Sequence, residues 1–397
     1  MNTHTKGYLI CPACGALYPE KDAVWQCTCG SYLDLAYTFT PRREDFTGPQ
    51  GFLRYRSVLP LEYPEQALTF NEGFTPLHQT ELLGHKVLVK MDFLLTSGSF
   101  KDRGAFALIN KCRELGIRHL VEDSSGNSAC SMAAYSALAG IEAHIYMPAG
   151  NSSGKTMQVS TYGAHLYKVP GNRADCARAA EEAAKSSYYA AHTRNPYFLH
   201  GTKTVIYEMM EQLGWEVPAA IFVPVGSGSQ ILGIWLGLQE MKQAGLIDRY
   251  PRLMAVQSEH CSPLKNHLEG RNTPNLPKNP IIAEGIAISR PPRLKQILQA
   301  VQETGGRAVV VPDRDIVEAL KDAAAKGLYI EPTSAAAVAA LKQWEELDGN
   351  GNGSGVREVS GVSEVSEVSG GVGRLVVSLT GHGLKAGVRI HELFEKA

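Results

Sequence analysis

The segment SGSFKDRG at 97–104 holds the residue best placed for covalent chemistry, Lys101. A lysine that attacks a carbonyl must first give up its proton, which aromatic packing and neighbouring dipoles encourage. The segment also opens a helical pattern, and the amides and dipole of a helix start favour an anion close by. The same lysine would serve equally as a helix-start cation paired with Asp102. Asn127, in SSGNS at 124–128, follows a strand-like run and precedes a small-residue helix. It suits an N-cap and equally suits donating an amide hydrogen to a ligand oxygen. Gly226, Ser227, Gly228, Ser229 and Gln230 form a glycine-rich strand-to-helix turn, a cradle of backbone N–H groups for a phosphate. Thr380, in SLTGHGLK at 378–385, ends the last strand-like run. Its hydroxyl could satisfy a ring nitrogen without protonating it, or bond to nearby backbone. His382 is a candidate acid or base, or a structural turn residue.

The glycine-rich turn also invites a dinucleotide reading through Gly226, Gly228 and Gly233. The third glycine comes too late for G-x-G-x-x-G, and the next strand-like run ends in Gln257 and Ser258 where a ribose-binding acid belongs.

To bring these segments together, the chain from about residue 85 alternates short β-branched runs with helix-period segments. That pattern builds an α/β fold, a mostly parallel sheet covered by helices. Strands are expected at 85–92, 119–124, 142–148, 164–170, 219–225, 252–257, 307–312 and 374–380. Helices are expected at 100–115, 173–186, 231–244, 315–326 and 335–347. Asn127, the glycine-rich turn and Thr380 all follow strand exits, where such sheets bind ligands. One stretch breaks the order: 349–373 is a Gly/Ser-rich segment with a Val-Ser-Glu repeat, expected to be a flexible surface insertion.

Cys11, Cys14, Cys27 and Cys29 cluster within the first thirty residues as C-x2-C and C-x-C, with Gly15 and Gly30 just after each pair. Four thiolates so arranged suit a closed tetrahedral zinc site, although a ribbon usually has two residues inside its second pair, so a metal-free relic is the alternative. Cys112, Cys130, Cys176 and Cys261 are scattered and expected in the core. At 397 residues, 44% apolar and 20% charged, the chain is expected to fold as more than one globular domain. With 39 basic against 40 acidic residues, no global charge would draw it to nucleic acid or a membrane surface. A cytoplasmic location is expected, since no signal-like or membrane-length apolar run is present.

Taken in order, FNEGFTPL, SGSFKDRG, SSGNSACS, HGTKTVIYE, VPVGSGS, YIEPTSAAA and SLTGHGLK resemble the threonine synthase branch of the fold-type-II pyridoxal-phosphate enzymes, relatives of the tryptophan synthase β subunit. The resemblance runs through nearly the whole chain. It implies two three-layer α/β/α domains behind a zinc-ribbon-like segment at 1–36: a cofactor-binding domain of 37–95 with 204–397, and a smaller inserted domain at 96–203. It implies that Lys101 holds pyridoxal 5'-phosphate, that Asn127 contacts the phenolic oxygen, that 226–230 hold the phosphate, and that Thr380 faces the pyridine nitrogen. The implied reaction eliminates phosphate from O-phosphohomoserine and adds water to give threonine, with Lys101 as base and acid, in a homodimer acting on a small amino acid.

A second phosphate in the substrate needs further donors, and Ser97, Ser99, Lys155, Arg173 and Lys203 are the candidates. The chain departs from that branch at NPYFLHGTKT, where Phe198, His200 and Thr202 replace an arginine, a glutamate and a glutamine, and at GSGSQ, which replaces GNAGN. AEGIAISRPPR, with Arg290 and Arg293, is closer to dehydratase-type relatives. A β-eliminating or β-replacing enzyme acting on serine, threonine or O-phosphoserine is therefore the alternative, and a ligand-binding protein without catalysis is a third reading that Lys101 would separate.

Overall fold

The computed structural model describes residues 6–124, 126–149, 154–171, 173–272, 281–349 and 374–395. All but the first residue of the insertion expected at 349–373 therefore lies outside the described residues.

The chain opens with a small antiparallel sheet of β1 (Tyr8–Ile10), β2 (Leu17–Pro19) and β3 (Asp34–Leu35), in the order β2-β1-β3. A hairpin of β4 (Leu77–Leu82) and β5 (His85–Lys90) follows. Next come α1 (Lys101–Glu114), β6 (His119–Glu122), α2 (Asn127–Ala139), β7 (Glu142–Pro148), α3 (Gly154–Thr161), β8 (His165–Val169), α4 (Arg173–Ala183) and β9 (Tyr188–Tyr189). The strands of this run form a four-stranded parallel sheet, β8-β7-β6-β9. The chain continues through α5 (Pro196–Thr202), α6 (Thr204–Gln212), β10 (Ala220–Pro224), α7 (Ser229–Gln243), β11 (Arg252–Ser258), α8 (Pro263–Leu268), α9 (Leu294–Glu303) and β12 (Arg307–Val311). It closes with α10 (Asp313–Ala325), α11 (Pro332–Ala339), α12 (Trp344–Gly349), β13 (Leu375–Ser378) and α13 (Gly387–Glu395).

A six-stranded sheet, β12-β11-β10-β13-β5-β4, is parallel except for its edge strand β4. Its middle strands β10 (AIFVP) and β13 (LVVS) are buried at every residue, the continuous apolar runs that a sheet covered on both faces requires. The edge strand β4 (LHQTEL) exposes its polar side chains, as an unpaired edge must. All eight expected strands are present; the α/β architecture is the one the sequence pattern implies, and its division over two large sheets is what the family resemblance implies. The strands not foreseen are the polar edge β4, the two-residue β9 and the three short strands of the N-terminal sheet.

Register decides where the loops meet. β10 pairs with β13, so the turn after β10 and the turn holding Thr380 leave the large sheet side by side. β6 pairs with β9 in the other sheet, which brings the loop before Asn127 next to the residues after Tyr189. Gly233 and Gly237 on α7 serve packing instead of a dinucleotide: a Cβ at Gly233 would lie 2.9 Å from the Lys203 nitrogen, and one at Gly237 would lie 2.4 Å from Ile206. Arg293 ties the N-terminal segment to the body. Its guanidinium stacks on Tyr32, pairs with Asp34, and donates to the carbonyls of Leu33 (2.8 Å) and Arg194 (2.6 Å).

Candidate active site

Where the two sheets' strand exits converge, they enclose a cavity of about 300 Å³, at the small end of ordinary ligand sites. Lys101, Asn127, all five residues of 226–230, Thr380 and Lys155 line it, together with Ser124, His192, Glu284 and Thr333. Four segments read separately from the sequence thus meet at one void.

Each residue of FKDRG has a distinct task. The Lys101 Nζ stands 4.2 Å from the Phe100 ring centre and donates to Ser229 Oγ at 2.9 Å. Asp102 turns the other way, accepting from the Ser97 nitrogen (2.6 Å), Ser97 Oγ (2.5 Å) and Ser131 Oγ (2.6 Å), which fixes the loop ahead of the helix. Burial pushes the Asp102 carboxyl up, against the pull of these donors. Arg103 is fully buried and bidentate to both Asp92 and Glu208, and Lys90 adds a second cation on Glu208 at 2.8 Å. Removing one partner of such a buried set costs ~3–5 kcal/mol, so the network anchors α1 firmly to β5 and α6. Gly104 leaves room for Phe198, since a Cβ there would come within 2.3 Å of its ring.

The opposite wall is the turn after β10. A Cβ on Gly226 would meet the Gly285 carbonyl oxygen at 2.9 Å, and Gly228 adopts φ +87° beside Ile297, so both positions require glycine. The turn leads straight into α7, whose first N–H groups lack helical partners. Thr380 is held by Ser334. The Ser334 Oγ accepts from the nitrogens of Thr380 (2.9 Å) and Gly381 (3.0 Å), so both lone pairs are used and it can only donate. Its own hydrogen goes to Thr380 Oγ1 at 3.2 Å or to the Gly381 carbonyl at 3.4 Å, and with both Ser334 lone pairs taken the Thr380 hydrogen is left for another acceptor.

Sequence reasoning chose Lys155 but missed the groups around it, Glu284, Glu331, Glu122 and His192. Lys155 reaches Glu284 at 2.5 Å and Glu331 at 2.9 Å; burial works against its ammonium, but the two carboxylates outweigh it and hold its pKa above the usual lysine value. Glu331 also accepts from Asn127 Nδ2 at 2.7 Å. The buried pair of His192 Nδ1 and Glu122 stands 2.6 Å apart, with Ser128 Oγ donating to the same carboxylate. Their position at strand exits was the available signal.

The family described as pyridoxal-phosphate dependent enzymes matches residues 68–356, well over half of the chain. The chain belongs to this pyridoxal-phosphate-dependent family. It is 33% identical over 391 residues to a threonine synthase of Methanocaldococcus jannaschii, covering 94% of this chain and 92% of that one. A Methanosarcina acetivorans threonine synthase is 33% identical over 355 residues, 86% and 87% of the two chains. Among solved structures, maize serine racemase aligns with a TM-score of 0.66 at 20% identity over 87% of this chain and 96% of that one. Threonine deaminase isoform 2 from Solanum lycopersicum aligns with a TM-score of 0.66 at 21% identity, over 89% and 91%. These two likenesses concern the fold.

The cavity of this pyridoxal-phosphate enzyme fits its cofactor: a lysine amine at one wall, a glycine cradle that a Cβ would fill at the other, and a directed hydroxyl between them. Of the donors expected for a substrate phosphate, Lys155 lines the cavity. Lys203 does not. Its ammonium is fully buried against Glu240 at 2.7 Å, His200 at 3.0 Å and the Phe39 ring at 3.8 Å, because it lies where α5 meets α6 and faces α7. Ser97 is spent on Asp102 and Ser131. Ser99 forms a backbone bridge with Gly381, and its buried Oγ has no hydrogen-bond partner among the described residues. Arg173 begins α4. His382 is structural: its Nδ1 accepts from the Leu384 nitrogen, and its ring packs between Phe93 and Tyr329.

At the N-terminus, the sulfurs of Cys11, Cys14, Cys27 and Cys29 lie within 4.8 Å of one another, and the Tyr18 hydroxyl is 3.1 Å from Cys27 Sγ. Thiolates bound to one zinc at ~2.3 Å stand at such separations, so the donor set fits the metal. The other four cysteines are buried, as expected of core residues.

Proposed function

We propose that this chain is a threonine synthase, releasing phosphate from O-phosphohomoserine and adding water to give threonine. The observation that carries the reading is identity of 33% to a threonine synthase along 94% of the chain. Bound pyridoxal phosphate supplies the electron sink for carbanions next to the amino group. Lys101 holds it, and its Nζ removes protons at the substrate Cα and Cβ and returns them. The turn at 226–230 and the start of α7 hold the cofactor phosphate. With the cofactor bound, Thr380 would donate its hydrogen to the pyridine nitrogen and leave the ring uncharged, and Asn127 would contact the phenolic oxygen. Lys155 is the cation on its side of the cavity, and the substrate phosphate takes the place of Glu284, the more exposed of its two carboxylate partners.

The division into 37–95 with 204–397 and the inserted 96–203 belongs to the same proposal, supported by the separate strand sets of the two sheets. So does a homodimer in the cytoplasm; among the described residues no helix is long and apolar enough to cross a membrane. One structural zinc on the four N-terminal cysteines completes it, and metal analysis of protein purified without chelator should show one zinc per chain that is lost when these cysteines are replaced by serine.

The deciding assay offers O-phosphohomoserine, O-phosphoserine, serine and threonine to the pyridoxal-phosphate-loaded protein. Phosphate and threonine should appear from the first. Pyruvate or 2-oxobutyrate from the unphosphorylated amino acids, with O-phosphohomoserine inert, would favour the dehydratase reading, to which apolar Phe198 in place of an arginine points.

A further inference from the structure

We infer that the four-stranded sheet carries a second, independent metal site at the strand starts of the face that packs against α4, built from His119, Glu142 and His144 with His165 beside them and suited to a zinc-like divalent transition ion. It does not rest on the pyridoxal-phosphate reading.

The sheet register brings these residues together. Glu142 opens β7 directly opposite His119, which opens β6, and His144 is two residues further along β7, on the same face. His144 lies opposite His165, which opens β8. One carboxylate therefore serves three imidazoles: Glu142 oxygens stand 2.8 Å from His119 Nδ1, 2.9 Å from His144 Nε2 and 3.1 Å from His165 Nε2. The ligand atoms of His119, Glu142 and His144 all fall within 4.8 Å of one another. Donors around a tetrahedral zinc with bonds of ~2.1 Å are ~3.4 Å apart. Insertion of an ion thus requires opening the carboxylate–imidazole contacts by a few tenths of an ångström while ligand atoms spread over as much as 4.8 Å close around it. The side chains can give that much, being 24–59% exposed.

Ligand chemistry favours the ion. Two neutral imidazoles and a carboxylate, those of His119, His144 and Glu142, are a donor set for zinc, nickel or copper, with His165 or water to complete the shell. A second observation supports it. The other nitrogen of His144, Nδ1, is 3.0 Å from the Tyr167 hydroxyl, and the Tyr167 ring stacks on both His144 and Tyr146. With Nδ1–H donating to that oxygen, Nε2 presents its lone pair to a metal, the outer partner that metal-binding histidines use. The site occupies the N-terminal ends of β6, β7 and β8, whereas the cavity lies at the opposite ends of the strands. A bound ion would clamp three strands without touching the chemistry.

The test is calorimetric titration of the full chain, loaded with pyridoxal phosphate, with Zn²⁺. Wild type is compared with a His119→Ala/His144→Ala variant that keeps all four N-terminal cysteines, so zinc on those cysteines cancels. Wild type should take up one more equivalent, and His165→Ala should weaken that uptake. Cofactor absorption and turnover should be unchanged in the variants. If the double variant does not fold, Glu142→Gln keeps the size of the carboxylate, removes its charge, and should lower the affinity for the extra ion at least tenfold. Equal stoichiometry and affinity in wild type and variant would overturn the site.

Discussion

Lys101 and Lys203 begin from similar surroundings and end with different roles. Both follow the junction of a loop or helix end with a new helix, and both have an aromatic ring about 4 Å from the amine, Phe100 at 4.2 Å and Phe39 at 3.8 Å. Lys101 borders the cavity and donates to a serine hydroxyl. Lys203 is sealed between helices and bound to Glu240, which also accepts from the Tyr207 hydroxyl at 2.6 Å. Burial pulls the Lys203 amine down to about 8 against the opposing pull of Glu240, and drives the His200 ring well below its usual value. An aromatic neighbour and a perturbed amine therefore do not identify a chemical lysine. What separates the two is the void beside one of them.

The largest expected effect tests the first half of that contrast. Lys101→Ala should abolish turnover and leave the far-ultraviolet circular dichroism intact; appreciable activity without added amines would remove Lys101 from the chemistry. Next, Lys203→Ala should act on stability alone. It strands Glu240 in the interior, so urea unfolding should report a loss of ~3–5 kcal/mol while kcat of the folded fraction stays as it was. Lys203→Met combined with Glu240→Leu should recover much of the loss. A variant that keeps its stability and loses turnover would instead put Lys203 back among substrate donors.

A somewhat smaller effect is expected from pH. Burial alone would raise the Glu208 carboxyl, but Arg103 and Lys90 outweigh it and lower it from 4.5 to about 2. A depressed carboxyl contributes stability in full above its unfolded value and loses it as pH falls towards the folded one. Wild type should thus give up ~3 kcal/mol between about pH 4.5 and 2 through this group, and Glu208→Gln, already weaker at neutral pH, should show a shallower acid slope in urea melts. The smallest effect is Thr380→Val. One hydrogen bond of ~1 kcal/mol is lost, so the cofactor should bind about fivefold more weakly by equilibrium dialysis.

The sheet and the lysine helix were readable because their signals are local. RAVVVP, RLMAVQ and AAIFVPV are apolar runs between turn residues, and each became a strand of the large sheet within one residue or so of its expected bounds. The tasks of Asp102 and Arg103 were not readable, since their partners Ser131, Asp92 and Glu208 are settled by packing. His192 was missed for a similar reason: β9 has two residues and gives no periodic signal. Lys155 was chosen for its charge, but its carboxylate partners lie more than a hundred residues further along the chain. Lys203 was chosen on the same grounds, and only the direction of its side chain placed it away from the cavity. Residue type indicates what a group can do; the fold decides what it faces.

The central claim is that Lys101, among all the lysines, holds the cofactor. Borohydride treatment of the pyridoxal-phosphate-loaded protein, followed by proteolysis and peptide mass analysis, tests it most directly. The visible absorption band should vanish, and the phosphopyridoxyl mass should appear on the peptide carrying Lys101. A label on Lys203, Lys155 or any other lysine, or no label at all on protein that has taken up the cofactor, would contradict the account.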